Sequence, residues 1–223
     1  MAPDRRVDES VKWLTSDLHI GHANICAYTG RPYSSVDEMN EDIVRRWNSK
    51  VASDDEVWVL GDVAMGKIDL SLLYISQLNG TKYLVPGNHD RMFGCEGTKY
   101  ANMVQKYLDA GFTEILDEQI MLIPRFADAD GWPHHATIAC HFPYAGDHDD
   151  QAEDRYQDKR PNDRGDWLVH GHTHGLWRKR GHMVDVGVDA WGGYPVLWAD
   201  ALACFSVSDD LDVLPWLPND AKG

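Results

Sequence analysis

Asn88, His89 and Asp90 place an amide, an imidazole and a carboxylate side by side, just after the apolar run Lys82-Tyr83-Leu84-Val85. Pro86 and Gly87 stop that run and force a turn, so the three polar groups are expected to project from the end of a strand. An amide oxygen can ligate a hard metal ion, and a neighbouring His and Asp can form an oriented acid/base pair. Turns are often rich in Gly, Asn and Asp for backbone reasons alone, so this chemistry needs partners elsewhere in the chain.

Four other strand ends supply candidates. Val11-Lys12-Trp13-Leu14-Thr15 leads into Asp17 and His19, which face the same way in extended chain because they are two residues apart. The alternative use of Asp17 is to cap a helix. Glu56 to Leu60 ends at Gly61-Asp62, and Ala136 to Cys140 is followed by His141. Trp167 to His170 runs into Gly171-His172-Thr173-His174, again with two imidazoles two residues apart. Ligands of open α/β sheets bind at the carboxyl ends of the strands, so these residues are predicted to meet at one sheet edge. Asp17, His19, Asp62, Asn88, His141, His172 and His174 are too many for one zinc ion, and they include no thiolate. Two ions of intermediate hardness fit the set, with Mn²⁺, Fe and Zn²⁺ all acceptable. Asp62, the carboxylate at the end of the second strand, is the expected bridge between ions about 3.5–4 Å apart.

The elements that must position these residues follow from the pattern between them. Ser35 and Glu38 form a capping-box pair before the helical stripe Val36, Met39, Ile43 and Trp47. A second helix is expected from Asp69, as N-cap, to Leu78, and a third from Thr98 to Ala110, closed by Gly111. Ile115-Leu116 and Gln119 to Ile123 read as edge strands or a hairpin, and Pro195 to Trp198 and Cys204 to Val207 as further strands. Tyr144 to Asp166, rich in Asp and Arg, reads as a solvated loop or lid over the site. One domain spanning residues 1–223 is expected, with flexible ends at about 1–10 and 216–223.

The chain has 223 residues and a net charge of −15, from 21 Lys and Arg against 36 Asp and Glu. Such a surface repels a polyanion and argues against tight binding of long nucleic acid, while metal ions can still reverse the local potential for a small phosphorylated substrate. The four cysteines are widely spaced, no secretory segment is evident and no apolar run crosses a bilayer, so a cytoplasmic protein is expected, without membrane partners.

The ordered set Asp17-x-His19, Gly61-Asp62, Gly87-Asn88-His89-Asp90, His141 and Gly171-His172-x-His174 resembles that of the calcineurin-like metallophosphoesterases. Thr15 to Asn24 and Asp154 to His174 also resemble small bacterial and phage-encoded members, several of which hydrolyse phosphodiesters; a phage origin would place the protein in the host cytoplasm. The resemblance implies an α/β fold with a central double β-sandwich flanked by helices in four layers. It implies Asp17, His19, Asp62 and His174 around a first ion, and Asp62, Asn88, His141 and His172 around a second. His89 is left beside the leaving-group oxygen, with Asp90 orienting its ring. Manganese is the favoured metal, with Fe, Zn, Ni and Co as alternatives.

On this reading a hydroxide held between the ions attacks phosphorus while protonated His89 donates to the leaving alkoxide. His22, Asn24 and Arg91 are candidates for contact with substrate; His134, His135, His148 and His182 are expected at the surface, and His170 in the core or behind a ligand. The leading expectation is a phosphodiesterase for small esters such as cyclic nucleotides. The alternatives are a phosphomonoesterase, such as a phosphoprotein phosphatase, and a catalytically silent binding scaffold.

Overall fold

The computed structural model describes residues 4–7, 11–116, 119–124, 137–147 and 154–216. The elements are β1 (Asp4–Val7), β2 (Val11–Thr15), α1 (Ile25–Thr29), α2 (Val36–Lys50), β3 (Glu56–Val59), α3 (Ile68–Ile75), β4 (Thr81–Leu84) and α4 (Gly97–Asp109). They continue with β5 (Phe112–Ile115), β6 (Gln119–Pro124), β7 (Thr137–Cys140), β8 (Trp167–His170), β9 (Lys179–Arg180), β10 (Met183–Asp185), β11 (Val196–Leu197) and α5 (Trp198–Phe205).

Two sheets result, in the orders β11-β2-β3-β4-β5 and β1-β6-β7-β8-β10-β9. Strands β2 to β5 are parallel, as are β7, β8 and β10, so the carboxyl ends that carry the candidate ligands share one direction within each sheet. The period of two divides the side chains between two cores. Trp13, Val57 and Val59 face Met39, Ile43, Trp47, Leu72 and Tyr107 of the helices. Leu14, Trp58 and Leu60 face Ala139, Val169 and Val184 of the other sheet, forming the interior of the sandwich. On the far side of that sheet Ile138, Cys140, Phe142 and Leu168 pack with Phe93, Tyr144 and Tyr156. Full burial of side chains such as Leu14 or Val57 stabilises by about 1.5–3 kcal/mol each.

At the start of α2, Ser35 Oγ accepts the Glu38 N–H at 3.1 Å, but Glu38 reaches back one residue further than a capping box requires, to Ser34 N at 2.9 Å. The buried face of α2 includes Arg46, whose guanidinium donates to Asp42 at 2.6 Å; Tyr33 and Arg45 also bond that carboxylate. These partners outweigh the effect of burial and lower the Asp42 pKa. Asp42→Ala strands a buried cation, so a loss of about 3–5 kcal/mol is expected in urea unfolding. Because the folded-state pKa is depressed, Asp42 stabilises above its unfolded pKa, and that contribution fades as the pH falls through the lower folded value.

Several expectations are corrected. Asp69 lies in the first turn of α3, whose N-cap is Lys67 without a side-chain cap. Cys204 belongs to α5, because Ala201 and Cys204 turn a helical face onto the sandwich core. β5 and β6 form no hairpin: β5 is an edge strand paired with β4, as one of the two readings had it, while β6 lies inside the other sheet between β1 and β7. The charged beginning includes a strand, since parallel pairing with β6 satisfies the backbone of Asp4–Val7. At the other end Trp216 packs edge-on to Tyr33 at 5.6 Å and bonds Asp189; residues 217–223 lie outside the described part. Among the described residues no helix is long and apolar enough to cross a membrane.

Candidate metal centre

Beyond the ends of β2 and β3 the two chains stay bonded to each other, with Asp17 N–H to Gly61 O at 3.0 Å and His19 N–H to Asp62 O at 2.9 Å. Six described non-glycine residues have positive φ: Asp17, His19, Asp62, His172 and His174, between 49° and 71°, and Tyr156. Such backbone costs on the order of 1–3 kcal/mol per residue and persists only where the surroundings enforce it. Five of the six belong to the expected ligand set, so strain is concentrated where the chain must aim side chains at one point.

Asp17, His19, Asp62 and His174 each offer a ligand atom within 4.8 Å of the others. Asp17 Oδ1, both His19 ring nitrogens, Asp62 Oδ2 and His174 Nδ1 are buried without a hydrogen-bond partner. On the other side, His141 Nδ1 lies 2.8 Å from Leu60 O, which assigns the proton to Nδ1 and leaves a lone pair on Nε2. That Nε2 is 3.1 Å from Asn88 Oδ1 and 3.5 Å from Asp62 Oδ2. Lone pairs converging in a buried space are unfavourable unless a cation lies among them. The donor set therefore fits divalent ions of intermediate hardness. Asp62 Oδ2 is also 3.5 Å from His19 Nε2, so one oxygen stands between both groups, while Asp62 Oδ1 is held by the His89 N–H at 2.8 Å.

The electrostatics of the protein atoms point the same way. Burial, then the charges of Asp17 and Asp90, push the Asp62 carboxyl well up. Burial also acts to raise Asp17, but the His19 ring, with Nε2 3.7 Å from Asp17 Oδ1, and the other nearby imidazoles outweigh it and hold that carboxyl well down. Burial lowers His19 to about 3 and lowers His141 and His172 as well. Burial opposes charge on His174 too, yet the Asp189 carboxylate 3.5 Å away and the Asp17 charge raise it to about 9. The buried carboxyl of Asp62 is thus disfavoured as an anion while His19, His141 and His172 are kept neutral, and a bound cation would reverse the first effect and use the lone pairs of the imidazoles.

Asp90 departs from its expected role. Its oxygens accept the backbone N–H groups of Gly87 at 2.8 Å, Asp62 at 2.9 Å and Val63 at 3.0 Å, and the Tyr107 hydroxyl at 3.3 Å. The carboxylate is therefore saturated by the loops that carry Asp62 and Asn88, and it fixes those loops instead of the His89 ring. Gly87 approaches the same place closely: an added Cβ would lie 2.3 Å from Asp62 Oδ1 and 2.8 Å from His141 Nδ1. Gly87→Ala is expected to shift Asp62 and cost about 10²-fold in kcat, with the circular dichroism spectrum retained.

His22 lies beside the centre, with ring centroids 5.5 Å from His19 and 6.5 Å from His89. His89 is exposed, and its ring is 5.4 Å from His19. Asn24 is exposed at the start of α1 without a side-chain cap bond, and the Arg91 guanidinium turns to Gly66 O at 2.8 Å. His170 is buried edge-on to Trp177, and partly buried His182 pairs with Asp163. His134, His135 and His148 lie outside the described residues.

Supporting residues that sequence reading missed lie mostly far along the chain. Buried Arg31 grips both oxygens of Asp189 at 2.8 Å and donates to the carbonyls of Asp17 at 2.7 Å and Leu18 at 3.0 Å. Asp189 Oδ2 in turn lies 3.5 Å from His174 Nδ1. Asp185 is buried beneath the His172–His174 loop, bonded by the Thr173 hydroxyl and by Gly187 N–H at 2.6 Å. The available signal was the alternation Asp185-Val-Gly-Val-Asp189, which puts acids in a buried stretch where each needs a partner.

Residues 12–176 match the protein family described as calcineurin-like phosphoesterase. The chain is 35% identical to the Gene 66 protein of Mycobacterium phage L5, over 81% of this chain and 87% of that protein. It is 33% identical to an uncharacterized protein of Methanocaldococcus jannaschii, over 59% of this chain and 73% of that one. Among solved structures, a protein of unknown function from Aquifex aeolicus shares the fold with a TM-score of 0.56 and 20% identity, covering 84% of this chain and 95% of the other.

Proposed function

The chain belongs to the calcineurin-like phosphoesterase family, and from that premise we propose a two-metal phosphodiesterase acting on small phosphodiesters, cyclic nucleotides among them. Asp17, His19, Asp62 and His174 would hold one ion, and Asp62, Asn88, His141 and His172 the other, with manganese the favoured metal. The observation that carries the reading is Asp62 Oδ2, unpartnered and 3.5 Å from both His19 Nε2 and His141 Nε2. When bound, the ions neutralise charge on the phosphoryl oxygens and make water acidic enough to serve as nucleophile near neutral pH.

The remaining work falls to side chains. His89 is tied to Asp62 through its backbone while its ring stays open to solvent beside His19. There the imidazole donates a proton to the departing alkoxide, a role worth about 10²–10⁴ in rate. His22 walls the same mouth and orients the ester. Asp90 keeps the two loops in register, so the acid and the ligands move together. The net charge of −15 favours a small ester over a long polyanion.

The test compares bis(p-nitrophenyl) phosphate with p-nitrophenyl phosphate on Mn²⁺-loaded protein. A higher kcat/KM on the diester supports the proposal, and the reverse ratio supports a phosphomonoesterase. Failure to turn over either ester, or any cyclic nucleotide, with any of the candidate metals supports a silent scaffold.

A further inference from the structure

Asp147 has no place in the ligand set, yet it is 5% exposed and its Oδ2 lies 2.8 Å from His172 Nε2. Arg160, itself nearly buried, places Nη2 2.7 Å from the same oxygen. That arginine is anchored twice more, by Nη1 to Pro143 O at 2.8 Å and Nε to Arg155 O at 2.9 Å. Asp154 completes the brace by accepting the N–H groups of Gly146 at 3.0 Å and Asp147 at 3.2 Å. Tyr156, the one described non-glycine residue outside the ligand set that has a positive φ, stacks edge-on to His172 at 5.8 Å and packs on Phe142 at 5.1 Å. Two separate stretches of the Asp- and Arg-rich segment thus converge on one imidazole.

We propose that Asp147, held by Arg160, is a positioning residue that orients His172 for the second ion. The bond to Asp147 places the proton on His172 Nε2 and turns Nδ1 into the ligand nitrogen. His141 is set the opposite way, with Nδ1 bonded to Leu60 O and Nε2 turned to Asn88 Oδ1 at 3.1 Å, so the two rings, 5.1 Å apart and at 71°, would offer different nitrogens to the second ion. A carboxylate behind a ligating imidazole fixes its tautomer and raises its basicity, and loss of such a partner costs about 10–100-fold in metal affinity. The effect should be confined to the second ion, because the partner behind His174 is Asp189.

The inference rests on the two-ion reading, and calorimetric titration of Mn²⁺ into metal-free protein separates the two. Wild type should bind two ions; binding of one or none overturns the two-ion reading itself. His19→Ala protein keeps the second site and Asn88→Ala protein keeps the first. Adding Asp147→Asn should weaken Mn²⁺ binding 10–100-fold in the His19→Ala protein and less than twofold in the Asn88→Ala protein. Arg160→Met should weaken the same site by a smaller factor, and it decides the matter if circular dichroism shows that Asp147→Asn does not fold. Equal weakening in both backgrounds, or no weakening in either, overturns the assignment of Asp147.

Discussion

Asp62→Asn should lower kcat/KM on a phosphodiester by about 10³-fold or more and reduce the metal content of the purified protein. The substitution preserves volume, and an amide oxygen can still accept the His89 N–H that Asp62 Oδ1 accepts at 2.8 Å. What disappears is the charged oxygen that stands 3.5 Å from both His19 Nε2 and His141 Nε2. Lewis-acid stabilisation is worth several kcal/mol, and each 1.36 kcal/mol is tenfold in rate, so weakening both ions together gives a loss of about that size. The same change also relieves a fully buried carboxyl that burial and its acidic neighbours push upward, so the protein should fold normally. Activity within tenfold of wild type, with two ions still bound, would show that Asp62 is not the shared ligand.

His89→Ala should separate substrates by their leaving groups. With a poor leaving group such as a ribose alkoxide, loss of the proton donor is expected to reduce kcat by about 10²–10⁴. With p-nitrophenolate, which departs without protonation, the loss should be less than tenfold. Metal content should stay at the wild-type value, because the His89 contact with Asp62 runs through the backbone N–H. Equal losses on both esters would mean that His89 binds substrate and leaves the proton to another group, with His22 the nearest imidazole at the mouth.

The parts of this centre that were legible in sequence are those set by local rules. Apolar runs ended by Gly, Pro or polar residues marked β2, β3, β4, β7 and β8, and parallel pairing within each sheet gave the polar residues after them a common direction. Gly87 shows how local that information is: the turn it makes is visible in sequence, and its contact with Asp62 follows from the turn. Asp90 shows the limit. Its neighbour His89 suggested a pair, but the direction of the side chain is decided by three backbone N–H groups and Tyr107, which only the folded loops bring together. Arg31 and Asp189 are 158 residues apart, and no periodicity links them. Asp147 belongs to a stretch without apolar pattern, where the sequence carries composition but no register. The misreading of Cys204 has a different origin, since a short apolar run suits a strand and a helix equally until its neighbours are known.

The most direct measurement is a titration of metal-free protein with Mn²⁺ in which bound ions and hydrolysis of bis(p-nitrophenyl) phosphate are followed together. The two-metal account predicts negligible turnover in chelator, two ions bound per chain at saturation, and activity that rises with occupancy of the second site. Full turnover by the metal-free protein, or maximal activity with a single ion bound, would contradict it.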